Sequence, residues 1–467
     1  MKKINILTLF AIAAILFSSC SKQLNLLPTD QFTDVNAFRT INDAQLATNE
    51  AYGRYGTYLN IIYANALVSD EAKLGVDNSG QGALTFRYQF SADGTTGGDV
   101  TAAYGGFYYL IDQVNRTLAK LPSVIATPAE EPRRNILKGQ LLALRGISHF
   151  SLLQAYCKAY DPNDPMGIAL MLVSDPTARP ARNTVAESIA QIEKDLSDAY
   201  SLLPAVTSAT FTDTVMNQVN INAYRARVAL FKGDYANAIS YATSVINSNV
   251  KPLVTGTAFS GIWTDANSNE TLFRIRYANS TAVGSLWTTT GGLVYISPAD
   301  KLVNSYLSTD IRKAAYIGTS SGKTYLNKYY TSSRGGRAVD MKPCRISEMY
   351  LIRAEAYAKQ ATPDLVSGAN DLNTLRAQRI TGYTNQTFTA ASDLVNAVLD
   401  ERYKELCFEG FRFFDLKRNN LPVQRGATDV TSTTWQTLPN GDYRFTWPIP
   451  QYELLANPNM KQNPGYN

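Results

Sequence analysis

The chain has 467 residues, 45% of them hydrophobic and 18% charged, a composition that supports packed cores and excludes a disordered polypeptide. Its net charge is +5, and two of those charges are Lys2 and Lys3 at the extreme N-terminus. So weak and scattered a surplus excludes a nucleic-acid binder.

Lys2 and Lys3 are followed by the apolar run Ile4 to Phe17 and then by Ser18, Ser19 and Cys20. A basic start, a short apolar stretch and small residues read as a signal peptide over residues 1–19. The run is too short for a membrane-spanning helix, which needs about 20 apolar residues, and no later segment reaches that length. A cysteine directly after small residues resembles the lipobox of bacterial lipoproteins, with Phe17 where a smaller aliphatic residue is usual. Acyl chains on Cys20 would anchor the protein, each buried methylene adding ~0.8 kcal/mol. Cys157, Cys344 and Cys407 remain, enough for at most one disulfide. Cys157 and Cys407 sit in helical apolar patterns and read as buried thiols.

Residues 21–34 read as a tether. A helical pattern runs from Asn42 to about Tyr58, followed by a Tyr-rich segment to Ser69. Residues 75–103, rich in Gly, Ser, Thr and Asp, read as loop, and Tyr104 to Leu121 is again helical. The clearest repeat is Asn222 to Asn247, where Ala226, Ala229, Gly233, Tyr235, Ala238 and Val245 stand where a tetratricopeptide (TPR) repeat places small, turn and knob residues. Residues 345–360 and 367–379 form a second helix pair, with Ala354 and Tyr357 in register with Ala226 and Ala229. Residues 141–156 and 186–203 form a looser pair, and a further helix starts near Ser392. Residues 250–345 alternate apolar and polar and read as short strands and loops. The sum is a mostly α fold, a TPR-like helical-repeat scaffold with long loop and short-strand insertions.

Motifs for catalysis are missing from this pattern. The one histidine, His149, lies in an apolar helix and reads as structural, since a metal site needs clustered ligands. Residues 318–324, GTSSGKT, are one residue short of a phosphate-binding loop and read as a polar turn.

Three further segments carry a family resemblance: ERYKELCFEGFRFFDLKR (401–418), FTWPIPQYELLANPNMKQNPGY (445–466) and ALVSDEAKLG (66–75). By their residues alone they are structural. Glu401, Arg402, Glu405 and Glu409 lie at helical spacing where they can meet Arg412 and Arg418, and Gly410 can cap the helix. Pro448 and Pro450 fix an extended segment, and the Asn-Pro pairs that follow make turns. Together with the leader and the repeats, these segments resemble the SusD/RagB family of Bacteroidetes nutrient-binding lipoproteins.

The resemblance implies a SusD-like α-α superhelix with residues 20–267 as its N-terminal region and 268–467 as its C-terminal region. It implies a binding protein rather than an enzyme, anchored to the outer membrane and facing the cell exterior. Such a protein captures an oligosaccharide or peptide and delivers it to a SusC-like TonB-dependent transporter. Acidic residues often follow the lipid cysteine in exported members; here Ser21, Lys22 and Gln23 do. The ligand would be met by Arg87, Tyr88, Phe90, Tyr104, Trp287 and Tyr295, with Trp287 in an exposed loop between Gly284-Ser285 and Gly291-Gly292. No cofactor is expected. Asp70 and Glu71 could hold Ca²⁺ or cap a helix, and capping is the reading preferred. Two other readings compete: a surface glycosidase, which needs two carboxylates facing across a cleft, and a TPR adhesin or scaffold without a small ligand.

Overall fold

The structure is a computed structural model that describes residues 38–466; Cys20 and the tether lie outside them. Its helices are Ile41–Arg54 (α1), Tyr58–Val68 (α2), Ala102–Lys120 (α3), Glu131–Tyr156 (α4), Val185–Leu202 (α5), Gln218–Lys232 (α6), Tyr235–Ser248 (α7), Gly256–Trp263 (α8), Asp300–Ser305 (α9), Ile311–Tyr316 (α10), Ile346–Lys359 (α11), Leu365–Ala377 (α12), Ala391–Glu405 (α13), Arg412–Arg418 (α14) and Gln451–Ala456 (α15). A single further turn, Ala83–Phe86, interrupts the loop-like stretch 75–103.

Local chemistry sets the helix ends. At α5 the Thr184 hydroxyl accepts the Glu187 N–H (3.1 Å) while the Glu187 carboxylate accepts the Thr184 N–H (2.8 Å), a reciprocal cap that satisfies two free donors. Between α6 and α7, Gly233 takes φ +74°, a left-handed conformation that suits a residue without Cβ, and Asp234 then caps α7. Ala226 and Ala354, the close-packing positions of the two repeats, are completely buried.

The helices stack as a solenoid: α3 on α4, α4 on α5, α5 on α6, α6 on α7, α7 on α11, and α11 on α12 and α13. The mostly helical, TPR-like architecture read from the sequence is therefore present. The contact of α7 with α11 shows that residues 249–345 are an insertion between two consecutive repeats. Its ends are drawn together by strands Thr271–Ile275 and Met341–Arg345, paired antiparallel. Within it, Ile317–Ser320 and Lys323–Leu326 form a hairpin whose turn, Ser321-Gly322, has positive φ at both residues, so GTSSGKT is indeed a turn. The insertion also holds α8, α9 and α10, where strands and loops alone were expected. Six to eight residues make too few turns to show a helical period.

One expectation about the 401–418 motif is corrected. Glu401, Glu405 and Glu409 do not pair with Arg412 and Arg418. They reach inward to cations from the insertion and the last repeat. Arg312 meets Asp310 (2.7 Å), Glu401 (2.5 Å) and Glu405 (3.2 Å). Arg345 meets Glu405 (2.9 Å) and Glu409 (2.8 Å). Arg379 meets Glu405 (3.0 Å) and Glu270 (2.7 Å), and Lys328 meets Glu409 (2.7 Å). Arg418 instead binds Glu355, and Arg412 binds Asp70. Nor does Gly410 cap α13: the helix ends at Glu405, and Gly410 (φ +88°) turns the chain five residues later against Tyr58 and Ile61. The motif pins the insertion to the solenoid.

Cys157, Cys344 and Cys407 are all buried free thiols. His149 is fully buried without a hydrogen-bond partner, and burial pushes its pKa down to about 3, so it is a neutral core ring.

Candidate ligand-binding site

The two loop regions expected to meet the ligand do meet each other. Ala72–Leu74 pairs antiparallel with Ile296–Pro298. The Tyr295 carbonyl accepts the Gly75 N–H (2.8 Å) and the Asn78 side-chain amide (2.9 Å), while Asp77 accepts the Val294 N–H (2.8 Å). The aromatic residues of these loops, however, do not form one surface.

Trp287 is the clearest correction. Expected in an exposed loop, it is 1% exposed and lies against Tyr63, Tyr329 and Phe408, with ring centroids 5.6, 6.3 and 5.1 Å away. Of its flanking glycines, Gly284 marks close backbone approach, since a Cβ there would sit 2.4 Å from the Cβ of Arg337, whereas Gly292 takes φ +79° in open space. Tyr88 and Phe90 are also buried. Tyr88 lies under the guanidinium of Arg425, and Phe90 stacks on Tyr466 at 6.2 Å. Arg87 is half-buried over the Trp435 ring, and Tyr295 is half-buried. Asp70 caps no helix: it forms ion pairs with Arg412 (2.7 Å) and Lys301 (2.6 Å), which outweigh its burial and hold its carboxyl at about 2. Glu71 is fully buried, its carboxylate oxygens lack a partner, and burial pushes its pKa up to about 8. Among the described residues no group of three or more His, Cys, Asp or Glu side chains is placed to hold a metal.

Of the six ligand residues expected, Tyr104, itself largely buried, contributes to the lining of a cleft. It and Tyr108 stand one turn apart on α3, so their rings share a face, with centroids 4.8 Å apart. Tyr104 is also braced edge-on by Tyr156 at 5.1 Å. The opposite wall is the segment 167–180, strapped down by α3 and α15. The Tyr108 hydroxyl donates to the Ala169 carbonyl (3.0 Å), Asn115 to the Met171 carbonyl (2.9 Å), Ser174 to Asp112 (2.6 Å) and Asn457 to the Pro180 carbonyl (2.9 Å).

Between these walls lies a cavity of about 200 Å³ lined by Tyr104, Tyr108, Asp112, Met171, Asp175 and Glu453, with Ala, Val and Pro completing it. That is below the roughly 300 Å³ at which pockets for whole drug-sized ligands begin. It admits one ring of a longer molecule.

The lining carries three carboxylates and no cation. Asp112 is held by Arg116 (2.8 Å), which lies outside the cleft. Asp175 takes the hydroxyl and N–H of Thr177 (2.7 and 2.8 Å), bonds that lower its pKa. A general acid needs its carboxyl raised, so Asp175 is set as an acceptor. Burial raises the pKa of both tyrosines, leaving neutral hydroxyls. Two ring faces, fixed acceptors and hydroxyl groups suit a ligand of apolar faces edged with hydroxyls.

Sequence reasoning missed Tyr108, Asp112, Asp175 and Glu453. The spacing of Tyr104 and Tyr108 was a usable signal. Asp175 and Glu453 come from segments far apart in the chain, and nothing local marks them.

Known proteins with related sequences and folds agree with this architecture. The model of the SusD family matches residues 303–466. A SusD-like model described as starch-binding and associating with the outer membrane matches residues 28–230. SusD-like protein P2 of Formosa agariphila is 25% identical, over 92% of this chain and 93% of that protein. A SusD superfamily protein from Bacteroides thetaiotaomicron is 26% identical and superposes with a TM-score of 0.79 over 91% of this chain and all of its own. A laminarin-binding SusD-like protein shares the fold, with a TM-score of 0.70 and 19% identity over 92% of this chain and all of its own. With its repeats, its insertion and its C-terminal motifs all in place, the chain belongs to the SusD family.

Proposed function

We propose that this protein is a glycan-capturing lipoprotein of the outer membrane, anchored through Cys20 and facing the cell exterior, which hands an oligosaccharide to a SusC-like TonB-dependent transporter. The observation that carries the reading is the tyrosine cleft: paired rings and fixed carboxylates, sized for one sugar unit. Support comes from the laminarin-binding protein of the same fold and from the family description as starch-binding and outer-membrane-associated. Residues 20–267 and 268–467 then act as one platform, with the solenoid as its rigid body and the loops as its ligand face. The protein binds its glycan and releases it unchanged.

The test is calorimetric titration with a panel of neutral oligosaccharides, with chromatography of the mixture to follow turnover. Stacking on one ring contributes about 0.5–1.5 kcal/mol beyond area burial. Tyr108→Ala should therefore weaken glycan binding about tenfold, 1.4 kcal/mol being one decade. Undiminished affinity in that variant would move the site elsewhere, and hydrolysis of the oligosaccharide would replace capture with catalysis. Cys20→Ser should release the protein from membranes, and gentle solubilisation of the native membrane should recover it with a large β-barrel.

A further inference from the structure

Most buried cations among the described residues hold carboxylates; Arg337, bonded to the Thr288 carbonyl and the Thr290 hydroxyl, does not. Lys328 holds Glu409 at 2.7 Å and Lys342 holds Asp265 at 2.6 Å, and Arg312, Arg345 and Arg379 are each bound by two or more acids. Arg425, which forms no ion pair, donates to four carbonyls, those of Ser69, Phe86, Trp435 and Leu67. Lys417 on α14 has neither arrangement. It is 8% exposed, its ammonium donates to the Gln154 carbonyl (2.8 Å), and no carboxylate of the described residues lies within ion-pair distance.

An ammonium in such a place has lost most of its hydration without gaining a counter-charge, which is costly. Its surroundings are not closed. Lys417 lines a second cavity of about 200 Å³, together with Lys158, Asn420, Asn440, Asp442 and Phe445. The one carboxylate there, Asp442, is occupied by Arg444 (2.7 Å). Lys158 is exposed at the rim, and Asn420 and Asn440 offer amide donors. Phe445 and Leu421 give the cavity an apolar side.

We propose that this cavity is a carboxylate-binding site, in which Lys417 supplies the enclosed charge, Lys158 a second charge at the mouth, and the apolar side receives the carbon skeleton that bears the carboxyl group. An anion seated there gives Lys417 the partner every other buried lysine named above already has. Burial alone also lowers the Lys417 pKa to about 7, as expected for an ammonium kept from water and from acids. Two sources offer the same chemistry: a uronic acid unit of a glycan, and the free C-terminus of a peptide. The site is separate from the tyrosine cleft, whose lining carries acids and no cation, so its failure would leave the glycan reading standing.

The experiment uses the mature chain in thermal-shift and calorimetric titrations at pH 6.5. Glucuronate is compared with glucose, and acetyl-dialanine with its C-terminal amide. The expected result is stabilisation and saturable binding by glucuronate, by acetyl-dialanine or by both, and none by the neutral partner of whichever binds. The arm that responds names the source. Lys417→Met, which keeps the length of the side chain and removes its charge, should lower that affinity at least tenfold. Lys158→Ala, at an exposed position that leaves folding intact, should lower it a few-fold. Binding that does not distinguish the acids from their neutral partners overturns the proposal. So does no binding by either acid, or an affinity unchanged in both variants. Should Lys417→Met fail to fold, the wild-type comparison and Lys158→Ala still decide the matter.

Discussion

The carboxylates of the central ion network and those of the tyrosine cleft are the same chemical group used in opposite ways. Glu405 is fully enclosed and faces Arg312, Arg345 and Arg379; these guanidiniums overcome the cost of its burial and hold its carboxyl well below the usual carboxylate range. Glu453 and Asp175 line the cleft without a cation, taking hydrogen bonds from Asn457 and Thr177 respectively. The first set is consumed in joining the insertion to the solenoid. The second is fixed in place and left with acceptor capacity. An acid that completes the fold and an acid left with free acceptor capacity are told apart by where their partners come from, not by residue type.

Breaking the network should have the largest effect. Glu405→Gln leaves three buried guanidiniums facing a neutral amide, and breaking one side of a buried ionic cluster costs about 3–5 kcal/mol. Chemical denaturation should show the loss, and a change below ~1 kcal/mol would mean the network does not hold the insertion. Trp287→Ala comes next. A buried indole against three aromatic rings should cost about 3–5 kcal/mol when truncated, with the melting temperature falling accordingly. An unchanged melting temperature would return Trp287 to the surface.

Glu71 offers a smaller change with a defined pH dependence. Its folded pKa of about 8 lies above the ordinary carboxylate value of 4.5. Between pH 4.5 and 8 the unfolded chain has released a proton that the folded chain keeps, so stability from this group falls as pH rises through that window. Glu71→Gln cannot ionise. Its stability should match that of the wild type near pH 4.5 and exceed it near pH 8 by on the order of 2–4 kcal/mol. Parallel stability-versus-pH curves for the two proteins would show that Glu71 is ionised in the fold.

The same contrast explains what the sequence disclosed. The solenoid was legible because small residues such as Ala226 and Ala354 recur at repeat spacing, and helix stacking depends on them. The network was half legible. Helical spacing named Glu401, Glu405 and Glu409, but their partners Arg312, Arg345 and Arg379 are distant in the chain, so local partners were assigned instead. Trp287 misled because glycines beside an aromatic ring read equally as mobility and as close packing; only the position of Arg337 decides between them. The cleft was least legible, since its lining is assembled from α3, the 167–180 segment and α15, which lie far apart in the chain.

The smallest effect on stability should come from the cleft, and it tests the comparison directly, because the chemical change is the one applied to Glu405. Asp175→Asn with Glu453→Gln replaces two carboxylates by amides of the same shape. Each amide oxygen can still accept the bond its carboxylate now accepts, from Thr177 or Asn457. The one cation that favours the charged form of Asp175, Arg179, counts for less than the Thr177 bonds. Melting should therefore stay within about 0.5 kcal/mol of wild type, as for surface changes that break nothing. Binding should still suffer. A charged acceptor makes a hydrogen bond about twice as strong as a neutral one, so a glycan hydroxyl bound to both acids should lose on the order of 1 kcal/mol or more, close to tenfold in affinity. Calorimetry and a melting curve on the same double variant give both readings. A protein destabilised as strongly as Glu405→Gln would place these acids with the scaffold. Unchanged stability with unchanged glycan affinity would leave the cleft without a role in capture.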